Sequence, residues 1–140
     1  ASQGRGLTHE QRKAVEDWSV SRAVEYFAPM PLKDVGSRES WDLEGIRNGA
    51  TLRIEVKGST GGLDKIILTR NEVRHAKECR DGNAIQLALV LVEHIQLHEP
   101  NGDEKWHASG GTLKVINPWI VQEGGLSASQ YEYTLPLEAE

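Results

Sequence analysis

Thr51-Leu-Arg-Ile-Glu-Val-Lys-Gly58 is the most strand-like stretch of this 140-residue chain. Successive side chains of a strand point to opposite faces. Ile54 and Val56 therefore face one way, and Glu55 and Lys57 the other. An acid and a base on one face of a core strand have two readings. One is a solvent-facing ion pair of small energetic weight. The other is half of a metal-dependent active site.

Working outward, Asn48-Gly49 just before this stretch is a strong hairpin-turn signal. Trp41-Asp42-Leu43-Glu44 begins the strand on the other side of that turn, and the two strands are expected to run antiparallel. Further back, Leu32–Val35 reads as a short strand, closed by Gly36-Ser37. Thr8-His9-Glu10-Gln11 has the form of a capping box, with Thr8 as N-cap. A helix is predicted from there to about Phe27, with Ala14, Val15, Trp18, Val24 and Phe27 as its apolar stripe. Pro29 and Pro31 end it. Residues 1–7 read as a flexible lead-in and 138–140 as a tail, leaving 8–137 as a single domain.

Beyond the central stretch, Gly58–Gly62 is a loop and Lys65–Leu68 a predicted short strand. Thr69-Arg-Asn-Glu72 is a second capping box, opening a helix to about Asp81, where Gly82 supplies the stop. Ala84–Leu97 is the longest predicted strand. Its near-continuous apolar run implies burial on both faces, at the centre of a sheet. Gly111–Ile116 and Tyr131–Leu135 are further predicted strands in a β-rich tail. Helices before and after a mixed sheet imply a three-layer α/β arrangement.

Bulk composition narrows the classes. The length suits one domain with its own core. The longest apolar run is far too short to span a bilayer, and no signal-peptide pattern opens the chain. Cys79 is the only cysteine, so no internal disulfide forms, and a reducing cytoplasmic setting is expected. A net charge of −5 counts against indiscriminate nucleic-acid binding through overall charge. The opening Ala1-Ser2-Gln3-Gly4 lacks an initiator methionine and reads as the start of a domain excised from a longer protein.

Across the hairpin from Glu55 and Lys57 lies Asp42. Paired carboxylates suit a hard, oxygen-loving cation such as Mg²⁺. Such an ion polarises a phosphoryl oxygen and lowers the pKa of a bound water. A lysine on the same face can orient that water or offset developing negative charge. This is the logic of phosphodiester hydrolysis, although the spacing alone is common. Arg70, Arg74 and Lys77 recur at helical spacing, extended by Arg80. They read either as phosphate contacts or as a solvated face balanced by Glu72, Glu78 and Asp81. Ser59 and Thr60 follow the lysine and read as loop or as phosphate contacts. Trp106 and Trp119 read as covers of the core edge or as base-stacking platforms. His94 and His98 lack the partners of a zinc site. No phosphate-binding GxxxxGK[ST] loop is present.

Asp42 followed by Glu55-x-Lys57 resembles the signature of the PD-(D/E)XK nuclease superfamily, whose restriction-endonuclease-like core has the order αβββαβ. Arg12–Glu16, Val35-Gly36, Trp41-Asp42-Leu43, Ile54–Ser59 and Leu68–Val73 together resemble the NO VEIN C-terminal-like domain family, from about Arg12 to Leu97. That family is often appended to helicases, ATPases and restriction or defence proteins. The resemblance implies Asp42 and Glu55 as ligands of Mg²⁺ or Mn²⁺, with the Val56 carbonyl as a third. It implies Lys57 as the catalytic lysine and Glu16 as a helix carboxylate that completes the metal site or holds the lysine. The proline expected before Asp42 is replaced by Trp41. DNA, other domains of a larger parent protein (a helicase, an ATPase or a modified-base reader) and a second copy in a homodimer are the implied partners. A nuclease-fold module that binds DNA or a partner domain without cutting is the alternative.

Overall fold

The computed structural model describes residues 6–102 and 104–136. Most of the 1–7 lead-in and the 138–140 tail lie outside the described residues. Thr8 caps helix α1 (His9–Phe27) as its sequence predicts. Its hydroxyl accepts the Gln11 N–H at 3.2 Å, and the Gln11 side chain accepts the Thr8 N–H at 2.8 Å. Strands β1 (Lys33–Asp34), β2 (Leu43–Arg47) and β3 (Ala50–Gly58) follow, then helix α2 (Arg70–Arg80) and strand β4 (Gln86–Glu93). Strands β5 (Gln96–His98), β6 (His107–Ser109) and β7 (Thr112–Ile116) come next, with a 3₁₀ turn at Glu123–Gly125.

Asn48 and Gly49 carry φ values of 52° and 79°, the left-handed pair that a two-residue hairpin requires. The turn sets the register Arg47↔Ala50 through Leu43↔Ile54. Helix α2 provides the crossover that lets β4 lie parallel to β3. The sheet is mixed, ordered β1-β2-β3-β4-β7, and β5 pairs with β6 in a separate two-stranded sheet.

Each sheet face meets its own helix. Val15, Ala23 and Phe27 of α1 pack on Leu43, Leu52, Ile54, Val56, Ala88, Val90 and Val92. On the other face Ala76 of α2 packs on Leu87 and Val121, while Leu63, Leu89 and Leu91 form a neighbouring cluster. Trp119 covers both clusters, the core-edge role its sequence allowed. The β4 run is buried at every position after Gln86, as its apolar sequence predicts. No helix among the described residues is long and apolar enough to cross a membrane.

Three predicted elements differ. Lys65–Leu68 forms no strand. Leu63 and Ile66 instead cap the sheet face over Leu89 and Leu91, and both edges of β4 are already taken by β3 and β7. Tyr131–Leu135 also forms no strand. Tyr131, Tyr133 and Leu135 are 85%, 81% and 78% exposed, so nothing buries the face that would drive pairing. The expected Ala84–Leu97 strand is split after Glu93, because His94 adopts φ 56° and donates its N–H to the Gly61 carbonyl at 3.0 Å. β6, which pairs with the split-off β5, was not foreseen.

Candidate functional site

Asp42 sits where β2 begins. Continuing the register one step beyond Leu43↔Ile54 sets it across from Glu55. The regular ladder stops there. The Asp42 N–H donates to the Ile54 carbonyl at 3.0 Å, while the Asp42 carbonyl accepts the Val35 N–H at 2.9 Å. Oδ2 of Asp42 accepts the Val56 N–H at 2.8 Å. The carboxylate thus substitutes for a strand carbonyl on β3, while the main chain of Asp42 holds the residue that follows β1. N–H and C=O of one extended residue leave the same edge, so the Val56 carbonyl projects toward the Asp42 side.

Glu55 and Lys57 face α2 in a row with Arg53, where β4 next door presents leucines. Neither faces solvent: Glu55 is 3% and Lys57 4% exposed. A solvent-facing pair is therefore not what the structure holds. Lys57 Nζ lies 3.6 Å from Glu55 Oε1 and 3.4 Å from Glu72 Oε1. Glu72 also accepts the Thr69 N–H at 2.8 Å. Its capping-box role is real, and the same carboxylate is also the lysine's partner. The sequence offered the cap as the stronger reading of Glu72 and a role in the site as the weaker one, and the carboxylate serves both.

Burial, and then the charge of Asp42, push the Glu55 carboxyl up to about 10, against the pull of Lys57. Burial acts upward on Glu72 as well, but the Thr69 N–H, the Lys57 charge and the Glu55 carboxyl outweigh it and hold Glu72 below its usual range. The two shifts run in opposite directions, so the proton of the pair belongs on Glu55 and the negative charge on Glu72, opposite Lys57. Glu55 Oε1 is buried without a hydrogen-bond partner.

Glu16 reaches the site from the other face. It lines a cleft of about 470 Å³ together with Asp42, Lys13, Asp17 and Asp34. Asp42 is thus the residue shared between the α1-side cleft and the α2-side cluster. The predicted phosphate-contact residues have partners of their own. Arg70 faces Glu132 at 3.5 Å, Arg74 bonds Asn71, and Lys77 and Arg80 share Glu123 at 3.3 and 3.2 Å. The Ser59 hydroxyl accepts the Gly61 N–H at 3.0 Å and shapes the loop after Lys57.

Among the described residues no group of three or more His, Cys, Asp or Glu is arranged to hold a metal ion. Asp42, Glu55 and the Val56 carbonyl are nevertheless all oxygen donors of the kind a hard cation takes. Glu55 Oε1, which makes no hydrogen bond, is the atom such a cation would satisfy. The donor set therefore fits Mg²⁺ or Mn²⁺.

These features define a mixed α/β domain with an Asp–Glu–Lys cluster at the point where one of its central hairpin strands begins. The model of the family described as Protein NO VEIN, C-terminal, matches residues 19–100, more than half of the chain. The chain belongs to that family. The match includes Asp42, Glu55, Lys57 and Glu72. Neither the curated proteins nor the solved structures yield a match.

Proposed function

We propose that this domain is a metal-dependent nuclease that hydrolyses DNA phosphodiesters. In this reading it has a restriction-endonuclease-like core and is the effector part of a longer intracellular defence or helicase-associated protein. The observed order α1, β1, β2, β3, α2, β4 is compatible with the αβββαβ core. The observation that carries the reading is the convergence on adjoining strands of Asp42, a Glu55 oxygen that makes no hydrogen bond, and the Lys57 ammonium 3.6 Å from it. Mg²⁺ or Mn²⁺ held by Asp42, Glu55 and the Val56 carbonyl would polarise the phosphoryl oxygen and acidify a bound water. Glu72 holds the Lys57 ammonium in place to offset charge that develops on the phosphate. Glu16 adds a carboxylate from α1 on the cleft side. Arg70, Arg74 and Lys77 would contact the DNA backbone once Glu132, Asn71 and Glu123 release them.

The test is cleavage of DNA in Mg²⁺ or Mn²⁺ by the wild type beside Glu55→Ala and Lys57→Ala. Metal-dependent cutting lost in both variants supports the reading, and equal cutting by all three overturns it.

A second reading rests on a specific observation, the near-complete enclosure of Lys57 between two carboxyl groups. It makes the domain a nuclease-fold module that binds DNA or a partner domain without cutting. Tight, metal-independent binding that survives Lys57→Ala would favour it.

A further inference from the structure

Trp41, Arg53 and His75 form a stack that the chemistry above does not use. The Arg53 guanidinium carbon lies 3.7 Å from the Trp41 ring centroid. The His75 imidazole stacks on Trp41 at 4.3 Å, with 21° between the planes. Arg53 Nη1 is 3.0 Å from His75 Nε2, and its Nε pairs with Glu44 at 2.9 Å. A guanidinium can only donate. Nε2 is therefore the acceptor, and His75 is neutral with its proton on Nδ1. The Trp41 Nε1 is buried without a partner, so ring contacts and not a hydrogen bond hold the indole.

The three side chains come from the three elements that build the site. Trp41 precedes Asp42 at the start of β2. Arg53 shares its strand face with Glu55 and Lys57. His75 lies one turn beyond Glu72 on α2. We propose that Trp41, Arg53 and His75 are positioning residues whose stack seats the Asp42 carboxylate on the Val56 N–H and aligns the α2 carboxylate with Lys57. The functional weight of this stack rests on the metal-dependent reading above; its geometry does not.

The stack has a pH dependence with a definite sign. His75 is 6% exposed, and Cys79 Sγ lies 3.5 Å from its Nε2. Burial, and then the Arg53 charge, hold the imidazole below its ordinary pKa, against Glu78, Glu39 and Glu44. Protonation would turn an N–H against an Arg53 N–H. The stack holds while His75 is neutral and opens as pH falls through its depressed pKa.

Hydrogen exchange at the Val56 amide, followed by NMR on the whole chain, reads the seating of Asp42 directly. His75→Gln supplies an uncharged acceptor and His75→Arg a permanent cation. Trp41→Ala removes the stacking surface. Val90, in the core of β4, serves as the reference. With Val90 unchanged, Val56 protection is expected to fall about tenfold in His75→Arg and Trp41→Ala, the equilibrium weight of one charge-assisted bond. His75→Gln should retain it. Wild-type Val56 protection should fall only on the acid side of the ordinary imidazole range, and stay level in His75→Gln. Unchanged Val56 protection in His75→Arg, or a parallel fall at Val56 and Val90, would overturn the proposal. So would identical pH profiles for the wild type and His75→Gln. No metal or DNA enters the measurement, so its failure leaves the nuclease reading standing, and failure to cut DNA leaves this result standing.

Discussion

Glu55→Gln is expected to stabilise the folded chain at neutral pH while removing a proposed metal ligand. Glu55 is 3% exposed. Burial and the Asp42 charge raise its carboxyl from 4.5 to about 10. The folded state therefore binds its proton more tightly than the unfolded chain. The sign follows from linkage: a group with a raised folded pKa contributes its full stability below pH 4.5 and loses it as pH rises toward 10. Each pH unit above 4.5 costs about 1.4 kcal/mol, so the wild type gives up about 3 kcal/mol by pH 7. Glutamine keeps the shape and an N–H for Glu72 and does not titrate. In urea denaturation with a common slope, the two proteins should match near pH 5. The variant should lead by about 2–3 kcal/mol at pH 7 and by more at pH 8. Saturating Mg²⁺ should stabilise the wild type and leave the variant unmoved. A wild type more stable than Glu55→Gln at pH 8, or a gap that stays constant from pH 5 to pH 8, would refute the reasoning.

Three further outcomes are expected. Glu72→Gln preserves the cap, as Gln11 does at Thr8, but leaves the Lys57 ammonium facing only a protonated carboxyl. It should cost about 3 kcal/mol in urea denaturation, and a loss as small as an ordinary cap substitution would contradict the pairing. A Cβ on Gly58 would stand 1.9 Å from Ser19 Oγ and 3.0 Å from Ser19 Cβ, so Gly58→Ala should cost about 2 kcal/mol, or about 7 °C in Tm. Ser19→Ala should recover part of that in a double-mutant cycle, and additive losses would show that the two sites do not touch. Asp42→Asn keeps an oxygen for the Val56 N–H but removes the charge that helps raise Glu55. The Glu55 carboxyl should then ionise at a lower pH, so the loss of stability with rising pH should level off earlier than in the wild type, and an unchanged end point would separate Asp42 from Glu55.

Local chemistry wrote much of this fold legibly. Thr8 with Gln11 and Thr69 with Glu72 announced both helix starts, because a capping box needs only residues three apart. Asn48-Gly49 announced the hairpin, because few other pairs adopt two left-handed residues in succession. The alternation of Ile54, Glu55, Val56 and Lys57 announced a strand with one polar face. Which environment that face would meet was not local. Lys65–Leu68 and Tyr131–Leu135 have strand-like side chains, yet the first lies across a sheet face over Leu89 and Leu91, where both edges of β4 are taken, and the second has no surface to bury. Glu72 was legible as a cap and, more weakly, as a site residue, but that Lys57 would be its partner was not local. Trp41 gave no sign that Arg53 and His75 would stack on it.

By itself the sequence determined the two helices, the hairpin, the buried β4 run and an acid beside a base on one strand face. Only the tertiary structure decided that α2 closes over that face. Closure turned a pair that would be weak in water into a buried triad with a proton-bearing Glu55, because the strength of a charge depends on the groups and the solvent that the fold leaves around it.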